Sequence, residues 1–310
     1  MPAPRLTVMG SYITDLAFRT AQLPAWGQTI MGSGFLLGPG GKGSNQAVAA
    51  ARLGARVSFI SKLGRDAFAD LARHTWKDEG IDARFVTDTA DQPTGAASIV
   101  VNERSGDNAI VVVPGSGLAL TAAEVDAARE AIASAKLFLT QLESPVPVVH
   151  HALRLAKDAG VTTILNPAPG LPLPDDVYPL CDYLTPNETE AATLVGFPVS
   201  SLADAERAAN ALLGRGTRAV IVTLGANGAL VKTASVTQHV PACDAGPAVE
   251  TTGAGDAFNG GFAVALAEGL EIVAATRFGC AVAGISVTRP GTAPSMPRRA
   301  DVDALLRRTA

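Results

Sequence analysis

The strongest constraint on the fold is a regular alternation of short apolar runs with longer, alanine-rich amphipathic stretches. The apolar runs predict strands at 6–9, 57–61, 137–141, 163–165 and 219–223. The other stretches predict helices at 44–53, 67–79, 121–133, 145–159, 202–213, 256–268, 271–287 and 302–308. Thr121 and Glu124 have the T-x-x-E spacing that starts a helix. The alternation is typical of a mostly parallel sheet flanked by helices, so we predict an α/β fold.

Two regions interrupt this alternation, at 15–37 and 94–113. Both are rich in β-forming residues, and the second contains a polar turn at 102–108. We predict that they form a small accessory sheet. Such a sheet must hide one face, so it is expected to be a lid over a ligand, a subunit contact, or both. The domain prediction is therefore one domain over 1–310 with this lid as a sub-domain.

Composition excludes several functional classes. The net charge of −4 gives no basic surface for nucleic acid. The three cysteines, Cys181, Cys243 and Cys280, are isolated from one another and predict reduced thiols. No apolar run approaches the ~18 residues that span a bilayer, and the N-terminus lacks a secretory signal pattern. The sequence therefore favours a cytoplasmic protein that binds neither nucleic acid nor membrane.

The segment Thr251 to Gly260 is the sharpest chemical signal. Gly253, Ala254 and Gly255 precede a predicted helix, so exposed amides and the helix dipole can hold an anion. Asp256 would repel that anion unless its carboxylate takes part in the chemistry. In phosphoryl transfer it would accept the proton of the attacking hydroxyl. On local spacing alone, an aspartate that caps its helix is an equally good interpretation.

A second glycine-rich segment, Gly38 to Ala47, contains G-x-G-x-x-G and also leads into a helix. A dinucleotide site is disfavoured because the next strand leads to Lys62 instead of an acidic residue. A P-loop is disfavoured because Lys42 is followed by Gly43. What remains is a backbone that a polyol can approach, with Lys42 and Asn45 as hydrogen-bonding groups, or a purely structural loop.

The chain resembles the ribokinase family of carbohydrate kinases, the phosphofructokinase B type, over nearly its whole length. Both family signatures are present in order, GGKGSNQA from Gly40 and TGAGD from Thr252. Between them lie four further matching segments, QLESP from Gln141, NPAP from Asn166, TPNETE from Thr185 and TLG from Thr223. This series makes chance similarity a poor explanation, and it favours the catalytic interpretation of Asp256.

The resemblance implies roles for individual residues. The sugar would be bound by Asp15, Gly41, Lys42, Asn45 and Glu143. Asp256 would be the base, with Gly253, Ala254 and Gly255 as the anion hole. ATP would be bound by Asn187, Thr223, Gly225, Gly228, Gly255 and Cys280. Asn187 and Glu190 look like the family's N-x-x-E element, with Glu190 holding Mg²⁺ through water. Taken alone, these two residues would more often be a helix cap and an exposed helical acid.

A monovalent cation site, typically for K⁺, is also implied. The matching positions are Glu250, Thr252, Ser286, Arg289, Gly291 and Ser295. Glu250 replaces the aspartate usual in the family. The extra methylene displaces the carboxylate from the position that an aspartate would give it, so potassium activation is here an expectation from the resemblance alone.

The implied activity is ATP-dependent phosphorylation of a primary hydroxyl of a pentose, with ribose the leading substrate. Ile13 stands where ribokinases usually carry an asparagine that holds a ribose hydroxyl. It either reads the sugar as an apolar wall or simply packs near the first strand. Alternatives are 2-deoxyribose, another sugar or a nucleoside as substrate, a catalytically idle sugar sensor, and an NAD-dependent enzyme. The β-rich regions at 15–37 and 94–113 also predict a homodimer formed through the lid.

Overall fold

The computed structural model describes residues 3–104 and 108–308. The tip of the polar turn predicted at 102–108 therefore lies outside the described residues. Every strand and helix predicted from the alternation is present, and the α/β class is confirmed. None of the helices in the described ranges is long and apolar enough to cross a membrane.

A nine-stranded sheet forms the centre of the molecule, in the order β13-β12-β11-β10-β9-β8-β1-β4-β5. Its strands are β1 (Arg5–Met9), β4 (Arg56–Leu63), β5 (Asp82–Asp88), β8 (Leu137–Thr140), β9 (Thr162–Leu165), β10 (Tyr183–Leu184), β11 (Ala219–Thr223), β12 (Ala229–Lys232) and β13 (Thr237–Val240). All neighbours pair in parallel except β11 with β12 and β12 with β13. Because the chain runs from β1 to β4 on one side and returns to β8 on the other, the strand order reverses beside β1. Ligands of open α/β sheets bind outside the carboxyl ends of strands at such a point.

A separate four-stranded sheet has the order β3-β2-β6-β7. Its strands are β2 (Ile13–Thr20), β3 (Gly34–Gly40), β6 (Gly95–Asn102) and β7 (Asn108–Val113). These strands come from the two regions that interrupt the alternation in the sequence. One face carries a small buried apolar cluster of Ile13, Ala97 and Ile99, while several side chains on the other face are exposed.

Ten α-helices lie in the described part of the chain. They are α1 (Lys42–Arg52), α2 (Ala67–Asp78), α3 (Ala122–Ala127), α4 (Arg129–Ala133), α5 (Val146–Asp158), α6 (Glu188–Val195), α7 (Leu202–Gly214), α8 (Ala254–Ala267), α9 (Ile272–Ser286) and α10 (Arg299–Arg308). The predicted capping box at Thr121 and Glu124 is confirmed. The single helix predicted at 121–133 is wrong in one respect, because Ala128 (φ −97°, ψ 8°) divides it into α3 and α4.

Small residues bring α1 and α8 into close contact. A β-carbon added at Gly260 on α8 would lie 2.5 Å from Cβ of Ala49 on α1. Both helices are largely buried and begin at a glycine with a left-handed backbone, Gly41 (φ 83°) and Gly253 (φ 84°). Their N-termini therefore meet near the carboxyl edge of the central sheet, where the predicted chemical groups are found.

Candidate active site

Asp256, in the first turn of α8, is held by two amide side chains from α1. Asn45 Nδ2 donates to Oδ2 at 2.9 Å, and Gln46 Nε2 donates to Oδ1 at 2.9 Å. The alternative of a capping aspartate is wrong, because Gly253 occupies the N-cap position and the Asp256 carboxylate turns toward α1. Burial raises the pKa of Asp256, while Lys42 and the two amide donors oppose that rise. A buried carboxylate with a raised pKa is a stronger proton acceptor than one in water.

The first turn of α8 leaves room for an anion next to this carboxylate. Gly255 is exposed, and a β-carbon added there would meet nothing within 4 Å. The first amides of an α-helix have no intrahelical partner. The Ala254 amide contacts the Thr251 carbonyl at 3.2 Å, so the amides of Gly255 and Asp256 are the ones best placed to hold an anion.

Glu143 follows β8 and contacts the glycine-rich loop. Its Oε2 accepts hydrogen bonds from the Lys42 backbone amide at 2.9 Å and from the Ser11 hydroxyl. Burial raises the pKa of Glu143, and the nearby Lys42 ammonium counters part of this rise. Burial alone would lower the pKa of Lys42, but the fields of Asp256, Glu143 and Glu190 outweigh it and the net pKa is raised. Lys42 therefore stays charged among three acidic groups.

Asp15 lies on β2 of the small sheet and is oriented by Thr292, whose hydroxyl donates to Oδ2 at 2.8 Å. Burial raises the pKa of Asp15 to about 6. Ile13 lies two residues earlier, on the same face of the strand, because side chains alternate along β2. It is buried and packs in the apolar cluster of this sheet. This position fits the packing interpretation of Ile13, while its role as an apolar wall for the sugar stays a prediction.

Two glycines are required where β2 packs against the glycine-rich loop. A β-carbon at Gly40 would lie 2.3 Å from Asp15 Oδ2, and one at Gly41 would lie 2.5 Å from the Ile13 amide nitrogen. Gly41 also has a positive φ of 83°, which a residue with a β-carbon rarely adopts. The G-x-G-x-x-G match spans β3 of the small sheet and the start of α1. It does not follow the first strand of the parallel sheet, so the dinucleotide interpretation is wrong.

A buried amide network behind Asp256 was not predicted. Gln46 uses its amide nitrogen for Asp256 and for Asn166 Oδ1 at 3.1 Å, while its oxygen accepts from Gln141 Nε2 at 2.6 Å. These contacts fix the orientation of the Gln46 amide. The available signal was that Gln141 and Asn166 each follow a strand of the parallel sheet and that Gln46 adjoins Asn45 in the motif.

The same network continues to the anion-binding turn. Asn166 Nδ2 donates to the Thr185 carbonyl at 3.0 Å, and the Thr185 hydroxyl donates to Asn259 Oδ1 at 2.6 Å. Asn259 Nδ2 then donates to the Gly255 carbonyl at 2.8 Å. Asp256 and the turn that carries Gly255 are therefore fixed by one continuous set of buried hydrogen bonds.

Asn187 and Glu190 form the start of α6. Asn187 caps the helix by accepting from the Glu190 amide at 2.8 Å, and Glu190 Oε2 accepts from the Asn187 amide at 3.0 Å. Glu190 is buried, so its alternative as an exposed helical acid is wrong. Burial raises the pKa of Glu190. The Asn187 hydrogen bond and the Lys42 charge oppose that rise, and the Asp256 charge adds to it. A carboxylate and an amide oxygen near the anion-binding turn fit the hard ligands and water shell of Mg²⁺.

The predicted nucleotide turn adjoins this helix start. Thr223 ends β11 and forms a parallel bridge with Asn187. Gly225 is exposed and has φ 54°, and Gly228 has φ 89° with its carbonyl accepting from Leu224 at 2.8 Å. Cys280, on α9, is largely buried in the hydrophobic core, and burial raises its thiol pKa to about 12. The structure brings Asn187 and Thr223 together, whereas Cys280 is mainly a core residue.

The predicted cation positions lie in three segments, which are the turn before α8, the end of α9 and the loop after α9. Glu250 Oε2 accepts from the Gly291 amide at 2.9 Å, which joins the segment before α8 to the loop after α9. Ser295 donates to the Thr292 carbonyl at 2.7 Å in the same loop. Thr252 lies in the turn before α8. Ser286 ends α9 and donates to Ala283, and the Arg289 side chain pairs with Asp301 at 3.0 Å. Glu250 thus reaches the loop despite its extra methylene.

Comparison with known proteins gives a consistent result. A family model described as pfkB family carbohydrate kinase matches residues 3–299. The chain is 40% identical to the ribokinase of Haemophilus influenzae, with 95% of each chain covered. It is 39% identical to the deoxyribokinase of Salmonella typhi, with 94% of this chain and 95% of that one covered. The structure of Arabidopsis thaliana ribokinase with ribose and ATP matches at a TM-score of 0.92 and 32% identity, covering 98% of this chain and 99% of that one.

Proposed function

The chain belongs to the pfkB family of carbohydrate kinases, and we propose that it transfers the γ-phosphoryl group of ATP to the primary hydroxyl of a pentose, with ribose as the leading substrate. The observation that carries this proposal is the position of Asp256. Its carboxylate lies in the first turn of α8 and accepts a hydrogen bond from Asn45, which lies in the first turn of α1 just after the glycine-rich loop. This position would put a proton acceptor between a polyol site and an anion site.

The proposed mechanism uses the residues at that junction. Asp256 accepts the proton as the sugar oxygen attacks the γ-phosphorus, and the bond from that phosphorus to the β,γ-bridging oxygen breaks to release ADP. The amides of Gly255 and Asp256 stabilise the charge on the transferred group. Asp15 and Glu143 accept hydrogen bonds from sugar hydroxyls, while Lys42 supplies a positive charge among the acidic groups. Mg²⁺, which Asn187 and Glu190 would hold through water, would neutralise phosphate charge.

The choice between ribose and 2-deoxyribose depends on the wall beside Asp15. Relatives named ribokinase and deoxyribokinase match at 40% and 39% identity, so overall similarity does not separate them. Ile13 lies on the face of β2 that carries Asp15 and cannot hydrogen-bond a hydroxyl. An apolar wall discriminates weakly against a missing or added hydroxyl, by about 10²-fold at most. We therefore propose that 2-deoxyribose is accepted as a second substrate.

An ATP-consumption screen over ribose, 2-deoxyribose, fructose, other ketoses and nucleosides tests the activity. An idle sugar sensor would bind a sugar without releasing ADP, and the retention of Asp256 with its two amide donors supports the kinase instead. Thermal stabilisation by nucleotides distinguishes an ATP-dependent kinase from an NAD-dependent enzyme, because a ligand raises Tm only when the folded protein binds it. ATP is expected to raise Tm, and NAD is expected to leave it unchanged.

We also propose that the small sheet is a lid and that two copies pair through its outer face. This outer face consists of Phe18, Phe35, Leu37, Val111 and Val113, all of them exposed. Phe18 and Phe35 lie side by side with ring centroids 5.0 Å apart. A contiguous group of exposed apolar side chains is typical of protein contact surfaces.

We also propose a cytoplasmic location, because Cys181, Cys243 and Cys280 are free thiols and disulfides are rare in the cytosol.

Replacing Val111 with aspartate is expected to convert a homodimer into a monomer, because it places a charge on the outer face, where Val111 is 69% exposed. Light scattering of the purified protein measures the mass. Leu202→Lys, which alters an exposed apolar residue at the start of α7, is the control and is expected to keep the dimer. A wild-type monomer, or a Val111→Asp protein with unchanged mass, would remove this interface.

We propose Mg²⁺ and a monovalent cation, with K⁺ preferred, as cofactors. Glu190→Gln is expected to raise the Mg²⁺ concentration for half-maximal activity about tenfold, because a hard cation with its water shell prefers a carboxylate to an amide. Activity with K⁺ is expected to exceed activity with Na⁺, since Glu250 and the Gly291 loop meet. The control Glu188→Gln alters the neighbouring acid of the same helix turn. An unchanged Mg²⁺ requirement in Glu190→Gln would remove Glu190 from the metal site.

A further inference from the structure

Thr292 connects the loop after α9 to both strands of the lid that border the candidate sugar site. Its hydroxyl lies 2.8 Å from Asp15 Oδ2 on β2 and 3.0 Å from the Pro39 carbonyl oxygen on β3. Thr292 is buried. No family motif used to assign the site includes this residue.

A hydroxyl has one proton to donate, so the two acceptors compete for it. When Asp15 is ionised, the charged carboxylate is the better acceptor and takes the proton. When Asp15 is protonated, its own hydroxyl can donate to Thr292 Oγ1, which then donates to Pro39. The Thr292 hydroxyl therefore ties the loop to β2 when Asp15 is ionised, and to both β2 and β3 when Asp15 is protonated.

The loop behind Thr292 is anchored by Arg52 at the end of α1. The Arg52 guanidinium pairs with Glu79 at 2.6 Å. It also donates to three loop carbonyls, those of Ala293, Pro294 and Met296, at 3.1, 3.0 and 2.7 Å. The Thr292 carbonyl itself accepts from the Ser295 hydroxyl. Thr292 is therefore presented to Asp15 from a rigid support.

The other side of Thr292 faces the anion-binding turn. A β-carbon added at Gly253 would lie 3.4 Å from both Cα and Cβ of Thr292. The preceding residue, Gly291, is hydrogen-bonded to Glu250 at 2.9 Å. Thr292 consequently lies between a carboxylate of the sugar site and the N-cap residue of the helix that would hold the transferred phosphoryl group.

We infer that Thr292 is a positioning residue for the sugar, which orients the Asp15 carboxylate and fixes the base of the lid against the anion-binding turn. This inference rests on the proposed function, since it assumes that Asp15 binds the sugar. Thr292→Val removes the hydroxyl and nearly preserves the volume. This substitution leaves both Asp15 and the Pro39 carbonyl without their Thr292 donor, and water can replace only part of the lost hydrogen bond to the charged group.

The test compares Thr292→Val with Thr292→Ser and with Thr288→Val. Thr288 lies in the same segment, and its hydroxyl donates to the Ile285 carbonyl. Ribose binding is measured by calorimetry, independently of turnover. Thr292→Val is expected to raise Kd and KM for ribose about tenfold and to leave KM for ATP unchanged. Thr292→Ser and Thr288→Val are expected to remain within about twofold of the wild type.

A pH profile separates orientation of Asp15 from general packing. The acidic and titratable groups near Asp15 are Glu250, Asp256, Glu143 and Tyr12. Burial raises the pKa of Asp15 and the Thr292 hydrogen bond lowers it. Loss of that hydrogen bond in Thr292→Val raises the pKa of Asp15 further. Because ionised Asp15 is the better acceptor for sugar hydroxyls, the acidic limb of kcat/KM for ribose is then expected to move to higher pH in Thr292→Val and to return in Thr292→Ser.

Equal ribose Kd and an unshifted acidic limb in Thr292→Val would overturn the inference, as would the same changes in Thr288→Val. If valine prevents folding, Thr292→Ala serves as the second variant with the same expected loss. Wild-type protein that binds ribose without turnover would contradict the proposed function, and the calorimetric comparison would still test Thr292. Absence of ribose binding would overturn both.

Discussion

Replacing Asp256 with asparagine is expected to lower kcat about 10² to 10⁴-fold, the usual effect of removing a general base. Asparagine nearly matches aspartate in volume but cannot accept the proton of the sugar hydroxyl. The Kd for ATP is expected to change by less than about threefold, because the amides at the start of α8 remain. Turnover is measured with saturating ribose and ATP, and ATP binding by calorimetry.

The matched control for this prediction is Asp70→Asn, since Asp70 is an exposed acid in the first turn of α2. It is expected to leave kcat unchanged. A melting curve checks folding, because the new amide at position 256 places donors against those of Asn45 and Gln46. Folded Asp256→Asn protein with near wild-type kcat would contradict the assignment of Asp256 as the base.

Replacing Ile13 with asparagine is expected to shift preference toward ribose over 2-deoxyribose by about 10 to 10²-fold in kcat/KM. The wild type is expected to prefer ribose by less than about 10²-fold, because an apolar wall discriminates weakly. An asparagine on the same face of β2 as Asp15 can hydrogen-bond the hydroxyl that 2-deoxyribose lacks. The measurement is kcat/KM for both sugars in both proteins.

Ile13→Val is the control for this change, since it keeps the wall apolar and is expected to leave the sugar ratio unchanged. A melting curve is again needed, because burying an amide in the cluster with Ala97 and Ile99 costs stability unless it is hydrogen-bonded. A wild-type preference for ribose above about 10⁴-fold that persists in Ile13→Asn would show that Ile13 does not read the sugar.

The buried parts of the fold could be predicted from sequence because their patterns are local. Strands such as β1 and β11 are continuous apolar runs, and the start of α3 carries its own capping box. The strand β5 was missed because it is a polar edge strand, and β10 was missed because it has two residues. The helix α6 was not among the predicted helices, although Asn187 and Glu190 had been considered as a helix cap and a helical acid beside their metal-binding interpretation. Its buried Glu190 allows both roles.

The candidate site was predicted where the chain carries a motif, as at Lys42, Asn45 and Asp256. The groups that orient those residues were not predicted, because their contacts join distant parts of the chain. Gln46 and Asp256 are 210 residues apart, and Asp15 and Thr292 are 277 residues apart. No local spacing signals such pairs. The roles assigned to the site residues, the lid and the cations remain predictions that the variants above test.

Identification of the product tests the central claim most directly. Purified protein is incubated with ATP, Mg²⁺, K⁺ and ribose, and ADP release and the position of the new phosphate ester are followed by phosphorus NMR. We expect one ADP for each phosphorylated sugar, with the phosphate on the primary hydroxyl, and loss of both signals in Asp256→Asn. Release of no ADP with any sugar or nucleoside of the panel, or a phosphate on the anomeric hydroxyl, would contradict the account.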